Sequence, residues 1–168
     1  MTELATTESG PSAAAQAWVE AFAEGWRAPR DADSFVDHFL PWLAPEIRMV
    51  QPMMPVFTGY EQFRHGFARP LFEMVPDLHG EVVDWAAHGD RVYIDLELRG
   101  TIAGRGGRAV VLHTVDRVTL GPDGRATERV ALMDPLPLVT AVATTPGAWP
   151  TFARVQLRQA LNRRRFRP

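Results

Sequence analysis

The sequence predicts one α+β domain in which a curved antiparallel sheet wraps over helices that precede it. Three observations lead there. Apolar residues recur at helical spacing up to Pro76 and alternate with period two from residue 81 onward. The strings HGD, GRGG and GPDG divide the alternating part into four runs, as hairpin turns between consecutive antiparallel strands do. A length of 168 residues suits one core rather than two. Helices segregated ahead of a meander leave a space between the layers that is a natural pocket.

The elements follow in order. Residues 1–11 are small and polar and read as a disordered lead-in. In SAAAQAWVEAFAEGW, Ala14, Ala17, Trp18, Ala21 and Phe22 share a helical face, with Ser12 as N-cap and Gly25 as a stop. A shorter helix follows Asp31 and Asp33, carrying Phe35, Phe39 and Leu40 and ending at Pro41. EIRMVQP is a short strand. TGYEQFRHGFARPLFEMVP places Thr58 and Glu61 in capping-box register and sets Tyr60, Phe63, Phe67 and Leu71 on one side of a third helix. The runs EVVDWAA, RVYIDLELRGTIA, RAVVLHTVDRVTL and RATERVALMD are the strands of the meander, and from Trp149 the chain reads as a terminal helix.

One residue breaks the pattern. Every second position from Val110 gives Val110, Leu112, Thr114, Asp116, Val118 and Leu120, an apolar strand face with a carboxylate set into it. A buried lone charge is costly unless it is paired, hydrogen-bonded or neutralised. Asp116 is therefore the first candidate site residue. Its apolar neighbours favour a carboxyl that keeps its proton and donates a hydrogen bond, whereas a close arginine would make it half of an ion pair.

Composition narrows the function. Apolar residues at 46%, charged residues at 23% and a net charge of −2 give no electrostatic case for nucleic acid. There is no cysteine, hence no thiolate chemistry or disulfide frame. PLPLVTAVA is too short to span a membrane, and MTELATTESG lacks the basic start and apolar run of a secretory signal, so the expectation is a cytoplasmic protein. The histidines His38, His65, His79, His88 and His113 show no metal-ligand spacing, so neither a metal nor a cofactor is expected. GRGG follows a strand without a helix behind it and is a turn rather than a phosphate loop. The six arginines from Arg154 to Arg167 read as a solvated terminal helix.

The element order, with AWVEAFAEGWRAPRDADSF, LAPEIRMVQPMMPVFTGYEQF and VDRVTLGPDGRATERVALMDPLPLV, resembles the nuclear transport factor 2-like superfamily over about residues 12–145, leaving 146–168 as a helical extension. ERVALMDPLPLV is most similar to its SnoaL-like polyketide cyclase branch, which also neighbours ketosteroid isomerase. The resemblance implies a cone-shaped α+β barrel. It implies a cofactor-independent acid–base enzyme, such as a cyclase, isomerase, hydratase or epoxide hydrolase, acting on a small hydrophobic oxygenated molecule. Laid beside ketosteroid isomerase, TVDRVTLGPDGR puts Asp116 at the position of that enzyme's oxyanion-hole aspartic acid. Its oxyanion tyrosine falls on Trp18 and its general base on Gln51, so proton shuttling of the steroid type is not expected at those positions. The same comparison puts Tyr93, Asp95, Glu97 and Arg99 on the pocket side of their strand.

The candidate set is thus Asp116 as acid or oxyanion donor, with Asp95 or Glu97 as base. Trp18, Gln51, Phe63, Phe67, Tyr93, Arg99, Arg129 and Met133 would hold the ligand. Two alternatives stay open. Val92, Ile94, Leu96 and Leu98 form an equally regular apolar row that can face the core instead of the charges. Were the charges inside, that row would need a cover, most simply a second subunit, which motivates a homodimer through the sheet. The other alternative is a non-catalytic binding or assembly module on the same fold.

Overall fold

The computed structural model describes residues 12–165, with side chains through residue 158. The expected lead-in and the arginine side chains beyond Arg158 lie outside the described residues.

Helix α1 (Ala13–Arg27) starts where expected, with the Ser12 hydroxyl accepting from the Ala15 backbone N–H at 3.1 Å. Gly25 does not stop it. That glycine is buried, and a Cβ there would lie 2.6 Å from the His38 and Phe39 rings, so its lack of a side chain lets α2 pack close. Helix α2 (Ala32–Phe39) opens on a capping box made by Asp31 and Ser34, and a 3₁₀ turn over Leu40–Trp42 delivers the chain into strand β1 (Leu43–Val50).

After the short strand β2 (Phe57–Thr58) comes helix α3 (Gly59–Gln62), a π-helical segment (Phe63–Ala68) and helix α4 (Arg69–Met74). The expected capping box at Thr58 does not form; the Thr58 N–H donates instead to the Gln62 side-chain oxygen at 3.0 Å. Pro70 accounts for the π segment. It has no N–H to give the Gly66 carbonyl, and its ring would crowd that carbonyl in a regular helix, so the backbone widens through this stretch.

Strands β3 (His79–His88), β4 (Arg91–Thr101), β5 (Ala109–Leu120) and β6 (Ala126–Met133) form the meander, and the six-stranded sheet runs in the order β2-β1-β6-β5-β4-β3. All pairs are antiparallel except β1 with β6. The curved sheet lies over the helices, as the α+β reading requires. Between them Trp18, Phe22, Trp26, Phe35, Phe39, Phe63, Phe67 and Phe72 make a continuous aromatic core, with Trp26 and Phe35 edge-on at 4.7 Å and Phe63 stacked on Phe67 at 5.7 Å. Truncating one of these rings to alanine removes about 3–5 kcal/mol of stability.

The chain then turns back over the opening of the sheet. Helix α5 (Leu136–Ala143) begins beside Asp134, whose carboxylate accepts from the Leu136 N–H at 2.9 Å. A 3₁₀ turn (Pro146–Ala148) leads into helix α6 (Trp149–Arg165), which rests on α4 and is tied to it by Arg158 and Glu73 at 2.6 Å. The linker seats against the β4–β5 turn: a Cβ on Gly147 would meet Arg105 backbone atoms at 2.6–2.7 Å. None of the described helices is long and apolar enough to cross a membrane.

Candidate functional site

The alternation of β4 decides which row faces the helices. Val92, Ile94 and Leu96 are fully buried and Leu98 nearly so, whereas Tyr93 and Arg99 are exposed and Asp95 and Glu97 are half-buried on the other face. The expectation that Asp95 and Glu97 serve as base, with Tyr93 and Arg99 holding ligand, is therefore corrected. Glu97 spends its charge on the outer face, paired with Arg99 and 3.5 Å from the His113 imidazole. The reason is the ordinary one: four β-branched or leucine side chains gain more from burial than two carboxylates lose by staying in water. With the apolar row inside, the argument for a second subunit to cover it also disappears.

Asp116 is buried, as its position in the row demands, with no exposed surface. Its cross-strand partners are Ile94 on β4 and Ala131 on β6, and the diagonal neighbour on β6 is Arg129. The Arg129 Nη2 lies 2.9 Å from Oδ1 and 3.0 Å from Oδ2, so one nitrogen sits against both oxygens, donating its hydrogen bond to Oδ2 and leaving Oδ1 without one. This close arginine turns the expected neutral donor into half of a buried ion pair. The guanidinium is held by Phe22 and Phe67, whose ring centroids are 6.0 and 5.7 Å from its central carbon.

Arg129 in turn reaches the wall of a cavity of about 460 Å³ between the sheet, α4 and the returning helices. Leu98, Leu112, Thr114, Ala131 and Met133 form its sheet wall, Trp26, Phe67, Leu71 and Met74 its helical floor, and Leu138, Val142, Phe152 and Val155 its roof. Gln51 to Met54 supply the loop at one side. The lining residues that reach solvent, Met53, Val139, Ala143, Trp149 and Gln156, mark the mouth. Met53 has a φ of 63°, a left-handed conformation that costs a side-chain-bearing residue on the order of 1 kcal/mol and is found at constrained sites.

Three of the lining residues each carry a polar atom that has no partner and is buried away from the cavity surface: Arg129 Nε, Thr114 Oγ1 and Trp26 Nε1. Each can donate a hydrogen bond, and leaving one unmade in an apolar setting costs about 1–3 kcal/mol. The other polar lining groups are the Gln51 and Gln156 amides, and the Gln51 amide donates to the Met54 sulfur. The described lining holds no aspartate, glutamate, histidine or lysine. Nor do the described residues include three or more metal-ligating side chains gathered at one place.

Of the sequence candidates, Gln51, Phe67, Arg129 and Met133 meet at the cavity, and Asp116 stands behind Arg129 without lining it. Trp18 and Phe63 border instead a void of about 20 Å³ deeper in the core, beside Phe22, Phe35 and the inner side of Arg129. Sequence reasoning missed Thr114 and the whole roof. Thr114 sits in the same row as Asp116, which is the signal that would have found it; Leu138 and Val142 at i, i+4, and Phe152 and Val155 at i, i+3, gave a weaker one for the roof.

Comparison with known proteins agrees with this architecture. A protein assigned provisionally as a SnoaL-like polyketide cyclase, from Jannaschia sp. CCS1, superposes with a TM-score of 0.68 at 27% identity, covering 82% of this chain and 99% of its own. An NTF2-like protein of unknown function from Burkholderia pseudomallei K96243 gives 0.66 at 17% identity over 78% of this chain and 98% of its own. TsrD from Streptomyces laurentii gives 0.63 at 23% identity over 83% of this chain and 99% of its own. No curated protein matches the chain. The model of the SnoaL-like domain matches residues 15–129, from the first turns of α1 to the arginine at the cavity wall, and leaves the roof helices outside the match. The chain belongs to the SnoaL-like domain family.

Proposed function

We propose that the protein binds a small apolar ring compound carrying at least one oxygen acceptor, held in the cavity by Arg129. The observation that carries this reading is an almost wholly apolar cavity whose wall includes one arginine, itself held by Asp116, Phe22 and Phe67. A volume of about 460 Å³ falls in the range of small-molecule sites, about 300–1,000 Å³. The aromatic and methionine walls suit a planar hydrophobic framework, and the arginine fixes which edge faces inward.

A second reading is catalysis, and one feature favours it. A donor preorganised on a buried cation, in a site with little water, stabilises negative charge as it develops on a carbonyl oxygen. That suits the cyclase and isomerase assignments made within this family. Without a carboxylate or histidine in the described lining, the chain's own contribution is limited to polarising and orienting the substrate, and the proton would move within the substrate or through solvent at the mouth.

The experiment is a thermal-shift screen of neutral bicyclic and tricyclic ketones, quinones and esters against the wild-type protein and Leu112→Trp. The variant fills the cavity from the sheet side. Ligand at a hundred times its Kd stabilises the native state by about 2.7 kcal/mol, so the wild type responds and the variant does not. A flat response across the panel, or an equal response in the variant, contradicts the reading.

A further inference from the structure

We infer that Asp116, although it does not line the cavity, sets the charge class of the ligand: by neutralising Arg129 it makes the site select uncharged oxygen acceptors and reject carboxylates of the same shape. The inference rests on the cavity reading proposed above.

An arginine alone at the wall of an apolar cavity would select an anion, because its planar donors fit a carboxylate and its charge would otherwise be unpaired. Here that charge is already matched. Nη2 lies 2.9 and 3.0 Å from the two Asp116 oxygens, the aspartate has no exposed surface, and the arginine is 8% exposed. The pair carries no net charge, and the other polar groups of the described lining, Thr114, Trp26, Gln51 and Gln156, are neutral.

A carboxylate entering this site would be a third charge beside a balanced pair. It would give up its hydration and face Asp116 across the guanidinium, with no further cation to repay the cost. A ketone, quinone or ester oxygen loses far less on leaving water, and it accepts from a guanidinium N–H of Arg129 that the Asp116 contact leaves free. Asp116 is thus a positioning residue: it fixes the guanidinium and cancels the charge that would reverse the selectivity.

The test pairs two probes of one shape, 2-acetonaphthone and 2-naphthoate, titrated calorimetrically near neutral pH into the full chain and into Asp116→Asn. Asparagine keeps the size and an acceptor for Nη2 but leaves Arg129 with its charge uncompensated. The wild type is expected to bind the ketone about tenfold or more tightly than the carboxylate, and Asp116→Asn to move that ratio about tenfold or more toward the carboxylate. A purely structural Asp116 would not move it. A wild type that prefers 2-naphthoate overturns the inference and leaves the cavity reading standing, as does an unchanged ratio in a folded Asp116→Asn. If that variant does not fold, the wild-type ratio alone decides. Failure of both probes to bind overturns the cavity reading and the inference with it.

Discussion

Arg129 and Asp116 meet on the inner face of the sheet through a single guanidinium nitrogen placed almost equally from both carboxylate oxygens, 2.9 and 3.0 Å away. That contact engages one end of the guanidinium, while Phe22 and Phe67 flank it and the arginine reaches the cavity wall.

Removing one member of this pair should be far worse than removing both. Arg129→Met leaves a carboxylate with no exposed surface and no cation, and is expected to cost about 3–5 kcal/mol. Asp116→Leu combined with Arg129→Met should recover most of that loss. Urea denaturation of the two single variants and the double variant checks this; additive costs would show that the two side chains are not coupled.

The roof is seated by backbone contact, so it should be sensitive to one methyl group. Gly147→Ala puts a Cβ 2.6–2.7 Å from Arg105 backbone atoms, which have no side-chain freedom to yield. The expected cost is about 1–3 kcal/mol, and hydrogen exchange should show it as faster exchange in α5 and α6 with β3 to β5 little changed. Uniform loss of protection would contradict a separately seated roof.

Acid should loosen the α2 contact with the π segment. The Arg64 guanidinium, 2.8 Å from Asp33, holds that carboxyl below its ordinary value, assisted by Arg69. A depressed carboxyl binds fewer protons in the folded state. Its contribution is therefore present above the unfolded value and lost as pH falls through the folded one. Carboxyl titration by NMR in Arg64→Met should show Asp33 moving up toward an ordinary aspartate, and added salt should shrink the effect because the pair is exposed. An unmoved Asp33 would contradict the assignment.

Much of this was legible in the sequence, and the reasons differ by element. The change of period at residue 76 and the glycine turns declared the α+β order, and Asp116 declared itself by interrupting an apolar row. What stayed hidden needed distances in space. In β4 both alternating rows were regular, so which one faced the helices waited on the packing of Val92, Ile94 and Leu96 against them. Gly25 reads as a helix stop until His38 and Phe39 are seen against it. The roof was obscured because, among the described side chains, α5 and α6 bury only a few, so their periodicity is faint.

The most direct test of the account is a crystal structure of the protein with 2-acetonaphthone. The account predicts the two rings among Phe67, Leu112, Leu138 and Phe152, with the carbonyl oxygen about 2.7–3.2 Å from a guanidinium nitrogen of Arg129 and the Asp116 contact unchanged. Rings bound on the outer sheet face over Tyr93 and Leu132 would contradict it, as would a ligand in the cavity whose carbonyl turns to the mouth and away from Arg129.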